Sequence, residues 1–125
     1  MRRPHPTLTP QELAIMKVVW RLESATVRDV YEAMRAERTI AYTTVMTMMR
    51  ILEEKGYLKK ATADRAHVYR PAKPRQQVVG AMVRDFVDRV FDGAPTSLLL
   101  HLAKDNTLTP KQRRVIEKLI EDIEE

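Results

Sequence analysis

Cysteine is absent from the 125-residue chain, which excludes disulfides, thiol catalysis and thiolate metal sites. Glycine occurs three times and serine twice, at Ser24 and Ser97. That is too little for a Gly-rich phosphate loop or a flexible linker. Neither serine has a His-Asp pattern around it, so nucleophilic catalysis has no support and the chain does not read as an enzyme. His5, His67 and His101 are scattered and lack partners at metal spacing, so neither a metal nor another cofactor is expected. The uncharged, largely apolar run over residues 78–83 is far short of the roughly 20 residues a spanning helix needs. The N-terminus carries no apolar signal core, and a cytoplasmic protein without membrane insertion is expected.

What is present reads as a folded chain: 44% hydrophobic and 31% charged residues. The net charge of +5 is unevenly placed. Residues 1–72 hold 13 Lys and Arg against 8 Asp and Glu, whereas residues 73–125 hold 9 of each. A basic part joined to a neutral part points to a polyanion-binding module followed by an interaction module. The plainer alternative is a solvated surface of uneven charge.

Residues 1–8 have no period and read as a short arm. Thr9-Pro10-Gln11-Glu12 is a helix start, with Thr9 as cap, Pro10 at the first helical position and Glu12 closing a capping box. A helix over residues 10–21 follows, with Leu13, Met16 and Trp20 on one face and Trp20 in the core. Thr26 and Asp29 form a second box that opens a helix to residue 37, with Val27, Val30, Tyr31 and Met34 inward. A third helix spans residues 42–55 and stops at Gly56. Then the period changes. Residues 57–60 and 67–70 are strand candidates with a turn at 63–65, and Pro71 and Pro74 end the hairpin. Helical periodicity returns over residues 75–92 with an apolar face covering more than half the circumference. A short helix is expected over 96–103. A last one starts at Thr109-Pro110, where Gln112 closes the box.

Three helices and a hairpin are the order of a winged helix-turn-helix, whose third helix is built to enter the major groove. Val45, Met48, Met49 and Leu52 point one way, while Thr43, Thr47 and Arg50 point the other. Thr can touch a thymine methyl and Arg can bond guanine or phosphate. Thr43, Thr44 and Thr47 are a local cost to a helix, which favours function over mere tolerance at an exposed face. Met46 lies near the outward phase; the other methionines read as core filler. The hairpin adds Lys59, Lys60, Arg65, His67 and Arg70. These suit phosphate or minor-groove contact and equally a charged edge that blocks strand pairing. Arg65 at the tip is the best single wing contact. The wide face of the fourth helix and the stripe Val115, Ile116, Leu119, Ile120 and Ile123 offer surface for a partner subunit, the alternative being that both helices pack back on their own winged helix. A mainly α protein is expected, with a winged-helix DNA-binding domain over residues 1–72 and a helical dimerisation domain over 73–125. The competing class is a winged-helix protein-interaction module without sequence-specific DNA binding.

Several of these residues also form a family pattern. They are Leu8-Thr9 with Glu12, Val19-Trp20, Thr26-Val27-Arg28-Asp29-Val30, and the run Ala41-Tyr42-Thr43-Thr44-Val45-Met46-Thr47. Leu52 with Lys55-Gly56, and Arg65 with Tyr69-Arg70-Pro71, complete it. Together they resemble the penicillinase-repressor family of the BlaI/MecI type. The resemblance implies a homodimeric repressor acting on palindromic operators with TACA/TGTA-like half-sites. The expected DNA contacts of the chain are Tyr42, Thr43, Thr44, Thr47, Arg50, Lys60, Arg65 and His67. The resemblance further implies possible control by a membrane β-lactam sensor-protease pathway. The scissile bond falls at His101-Leu102, where well-known members carry Asn-Phe. A copper-responsive branch uses C-terminal cysteines and is set aside.

Overall fold

The structure, a computed structural model, describes residues 8–63 and 66–124. Residues 1–7 of the expected arm, with His5, and Arg65 at the expected hairpin tip lie outside the described residues. The described chain is mainly helical, in the order α1 (Pro10–Leu22), α2 (Val27–Arg35), α3 (Tyr42–Glu54), β1 (Leu58–Ala63), β2 (Ala66–Pro71), α4 (Arg75–Val90), α5 (Pro95–Ala103) and α6 (Pro110–Glu124). None of these helices is long and apolar enough to cross a membrane. Residue contacts divide the chain into two compact units between Val78 and Val79, inside α4. That is a turn and a half beyond the Pro71–Pro74 break at which the sequence pattern changes.

Local chemistry sets the helix starts. Thr9 and Glu12 form a reciprocal capping box at α1, and Thr26 and Asp29 form one at α2. At α6 the Thr109 amide donates to Gln112 Oε1 (2.9 Å), and the Gln112 amide donates to Thr109 Oγ1 (3.1 Å). The end of α3 is equally defined. Gly56 takes φ of +89°, its amide donates to Glu53 O (3.1 Å), and the Tyr57 amide donates to Leu52 O (2.9 Å). This Schellman closure needs a residue that tolerates the left-handed region.

In the first unit α1, α2 and α3 close on each other and on the antiparallel hairpin. Ile15, Met16, Val19, Val30, Val45, Met49 and Leu52 are the largest of its fully buried side chains among the described residues. The hairpin pairs Leu58 with Pro71 through Ala63 with Ala66, so both strands run further than the sequence pattern indicated. An isolated bridge between Ala25 and Tyr69 joins the α1–α2 connection to β2, with reciprocal hydrogen bonds of 2.9 and 2.8 Å.

Expectations for five single residues change. Leu8, read as arm, is buried at 7% exposure, directly before the first cap. Trp20, read as core, is half-buried: the indole needs a partner for its N–H, and Nε1 donates to Lys73 O (3.0 Å). Val27, Tyr31 and Met48 are likewise only half-buried.

The second unit is different in kind. After α4 the chain turns through Asp92 and Gly93, both at positive φ. The helix α5 then packs on α6. The Arg113 guanidinium donates to the carbonyls of Ala103 and Asp105 and so ties the α5–α6 connection to α6. Within this unit Val87 is the one apolar side chain among the described residues below a tenth exposed.

Candidate nucleic-acid interface

The two sides of α3 have opposite fates. Val45, Met49 and Leu52 are completely buried. Thr43, Thr44, Thr47 and Arg50 are exposed, and Met46 is half-buried. At 100° per residue Thr43, Thr47 and Arg50 form one stripe, with the exposed Glu54 at its far end. Hydroxyls, methyls and a guanidinium thus stand in a row on a rod whose back is fixed in the core. Such a rod suits base edges in a major groove.

The start of α3 is also distinct. Its N-cap is Ala41, which supplies no side-chain cap, and its first turn has no acid, whereas α1 and α2 begin with capping boxes that contain one. Uncapped amides and the positive helix end favour an anion. Tyr42 opens the helix at 37% exposure. Its ring meets Tyr31 edge-on (5.4 Å between centroids, 75° between planes), and the Arg28 guanidinium lies 5.5 Å from its centroid. The Arg35 guanidinium lies 5.6 Å from the Tyr31 ring. Glu32 pairs with both guanidiniums, at 3.4 Å to Arg28 and 3.5 Å to Arg35.

The far end of α3 is held by an ion pair. Lys55 Nζ lies 2.9 and 3.1 Å from the two carboxylate oxygens of Glu12, which is 5% exposed. Glu12 Oε1 also accepts the Thr9 amide (2.9 Å), so one carboxylate caps α1 and anchors α3. Burial pushes the Glu12 carboxyl up, but the Thr9 amide and the Lys55 ammonium outweigh it and hold it below its ordinary value.

The hairpin separates its expected cationic residues by face. Lys60 pairs with Tyr69 and His67 with Thr62, so Lys60 and His67 share one pleat face. The Lys60 ammonium lies 5.6 Å from the Tyr69 centroid. Lys59 and Arg70 pair on the opposite face. All four side chains are exposed.

The structure therefore brings Tyr42, Thr43, Thr44, Thr47 and Arg50 onto one helix, and Lys60 and His67 onto one strand face. An open groove of about 570 Å³ between α1 and α2, lined in part by Leu13, Lys17, Arg21 and Arg38, includes none of them. Sequence reasoning missed the Arg28–Tyr42–Tyr31–Arg35 strip and the Glu12–Lys55 pair. The spacing of Arg28, Glu32 and Arg35 signals helix-surface pairing. No local signal joins Tyr42 to α2 or Glu12 to a lysine 43 positions away.

Comparison with known proteins agrees with this geometry. The Penicillinase repressor family matches residues 8–122. The chain is 38% identical over 95 residues to the transcriptional regulator BlaI of Mycobacterium tuberculosis, a span of 74% of this chain and 69% of that one. It is 24% identical over 117 residues to the penicillinase repressor of Bacillus licheniformis, covering 94% and 91%. Among solved structures it resembles the monomeric form of Bacillus licheniformis BlaI in complex with the blaP half-operator. The TM-score is 0.52 at 28% identity, over 60% of this chain and 92% of that one. The DNA-binding domain of the repressor BlaI matches at the same TM-score and identity, over 59% and 90%. The chain belongs to the penicillinase repressor family, a family of DNA-binding transcriptional repressors and not of enzymes.

Proposed function

We propose that the protein represses transcription as a cytoplasmic homodimer that reads a palindromic operator with TACA/TGTA-like halves. In this reading Thr43, Thr47 and Arg50 meet base edges. Tyr42, Thr44, Lys60, Arg65 and His67 meet the backbone, and the second unit joins the subunits. The observation that carries the dimer is the exposure of that unit's apolar residues. Val83, Phe86, Val90, Leu100, Val115, Leu119 and Ile123 are each 42–55% exposed. A second copy of the same face covers such a surface with matched chemistry, and two-fold symmetry is the commonest solution. Two winged helices on one dimer then face half-sites spaced by turns of the duplex.

Selection from random duplex DNA with the purified full chain, followed by sequencing, tests the reading. Enrichment of a palindrome supports it. Binding that tracks charge alone, with no enriched sequence, rejects it in favour of a protein-interaction module.

We further propose β-lactam-responsive regulation, on the strength of relatives named as penicillinase repressors and as the methicillin resistance regulatory protein MecI. The His101-Leu102 bond lies in the last turn of α5. The His101 carbonyl accepts from the Lys104 amide (3.2 Å) and the Leu102 carbonyl from the Asp105 amide (3.0 Å). A protease must open this turn to extend the chain. Intact-mass analysis of the chain from β-lactam-treated cells checks it. A cut at this bond supports the pathway, and derepression with an uncut chain rejects cleavage there.

A further inference from the structure

We infer that Arg28 on α2 is a DNA-backbone contact and that Glu32 is its built-in competitor, setting how tightly the protein holds any duplex. The inference rests on the reading that α3 lies in the major groove.

The geometry starts from Tyr42. As the first residue of α3, it directly precedes Thr43, the start of the outward stripe. The Arg28 guanidinium, 5.5 Å from the Tyr42 centroid, therefore stands at the edge of that stripe although it belongs to another helix. Its side chain is 68% exposed, so the charge is open to solvent beyond the ring. In a helix-turn-helix the helix before the reading helix crosses the sugar-phosphate backbone. Arg28 is the cation of α2 that touches α3, while Arg35 lies over Tyr31 instead.

Glu32 supplies the second half. Its Oε2 lies 3.4 Å from Arg28 and its Oε1 3.5 Å from Arg35, with its side chain 49% exposed. One carboxylate thus serves two guanidiniums. A guanidinium engages a phosphate and a carboxylate through the same N–H groups, so a phosphate arriving at Arg28 displaces Glu32 or shares with it. Tyr42 keeps the guanidinium placed during the exchange through a cation–π contact that needs none of those N–H groups. Arg35 retains Glu32 after it lets go of Arg28. The strip is a set of interchangeable partners around one cation, and its output is the strength of sequence-independent binding.

The test uses the full chain and two duplexes of equal length, one with palindromic TACA/TGTA halves and one scrambled, titrated from about 50 to 200 mM salt. Arg28→Gln keeps much of the stem and removes the charge. The expected result is a slope of log affinity against log salt that is shallower by about one, with affinity lowered about three- to tenfold on both duplexes alike. Arg28→Lys restores the slope. Glu32→Gln raises affinity on both duplexes by more than Glu37→Gln, which makes the same change of net charge at an exposed position after α2. An unchanged slope in Arg28→Gln, or equal gains for the two glutamine variants at 32 and 37, overturns the inference and leaves operator reading intact. A wild-type chain that binds neither duplex overturns both.

Discussion

Among the described residues, seven large apolar side chains of the second unit stand at least 42% exposed, whereas the first unit exposes two, Leu22 and Tyr42. Among the same described residues the first unit buries fifteen apolar residues below a tenth exposure, and the second buries Val87. Both are assembled from helices of similar length, 9 to 16 residues. The difference is closure. In the first unit three helices and a hairpin share one interior, and Glu12, Trp20 and Tyr69 add long-range hydrogen bonds. In the second, α5 lies on α6, and apolar faces are left without cover. A stripe of leucine and isoleucine at helical spacing therefore means a core only where other elements arrive to meet it.

The sharpest way to break this contrast is to charge the open face. Leu119→Asp, present twice in a symmetric contact, should weaken subunit association by about 3–6 kcal/mol, from the lost burial of two half-exposed leucines together with the desolvation of two carboxylates. Sedimentation should then show monomers, while the thermal transition of the first unit stays in place. A dimer that survives the change removes Leu119 from the contact. Leu52→Ala is the mirror experiment: it should cost the first unit about 2–5 kcal/mol in denaturant unfolding.

Glu12→Gln tests whether closure depends on a single ion pair. Lys55 keeps a side-chain exposure of 28%, which limits the penalty of leaving it without its carboxylate to about 1–3 kcal/mol. The sign of the pH effect follows from the lowered carboxyl. Its stabilisation is present above the ordinary carboxylate value of 4.5 and is lost as pH falls through the lower folded-state value. Acid titration of unfolding should show this loss in the wild type and a flatter response in Glu12→Gln. The smallest change is at the outward stripe. Thr47→Ala should lower palindrome binding by about 1 kcal/mol with little effect on scrambled DNA, while Lys60→Ala lowers both alike. Equal losses for Thr47→Ala on the two duplexes would remove it from base reading.

What the sequence made legible was local. Thr9 with Glu12, Thr26 with Asp29, and Thr109 with Gln112 give three helix starts, because a capping box is written within four residues. The left-handed stop at Gly56 and the buried and exposed phases of α3 are equally short-range. The rest lies in pairs that no period records. Glu12 reads as a cap and is also the partner of Lys55. Trp20 reads as core and spends its N–H on Lys73. Ala25 reads as part of a connection, yet it bridges to Tyr69 and gives the hairpin a third neighbour. Tyr42 reads as a DNA contact, and its ring also meets Tyr31 edge-on with the Arg28 guanidinium beside it. The strand ends were underestimated because Ala61, Ala63 and Ala66 carry no alternation of character.

The anchoring of α3 at both ends has a further consequence. Tyr42 fastens its beginning and Lys55 its end, and neither Thr43 nor Thr47 nor Arg50 takes part in either attachment. Side chains at those three positions are thus free of the fold's own demands, and exchanges at such solvent-facing sites usually move stability by less than about 0.5 kcal/mol. Vocabulary and chassis are separable in this helix. In the proposed reading of the operator, a lineage, or a designer, can rewrite these three letters one at a time without first having to re-stabilise the protein that carries them.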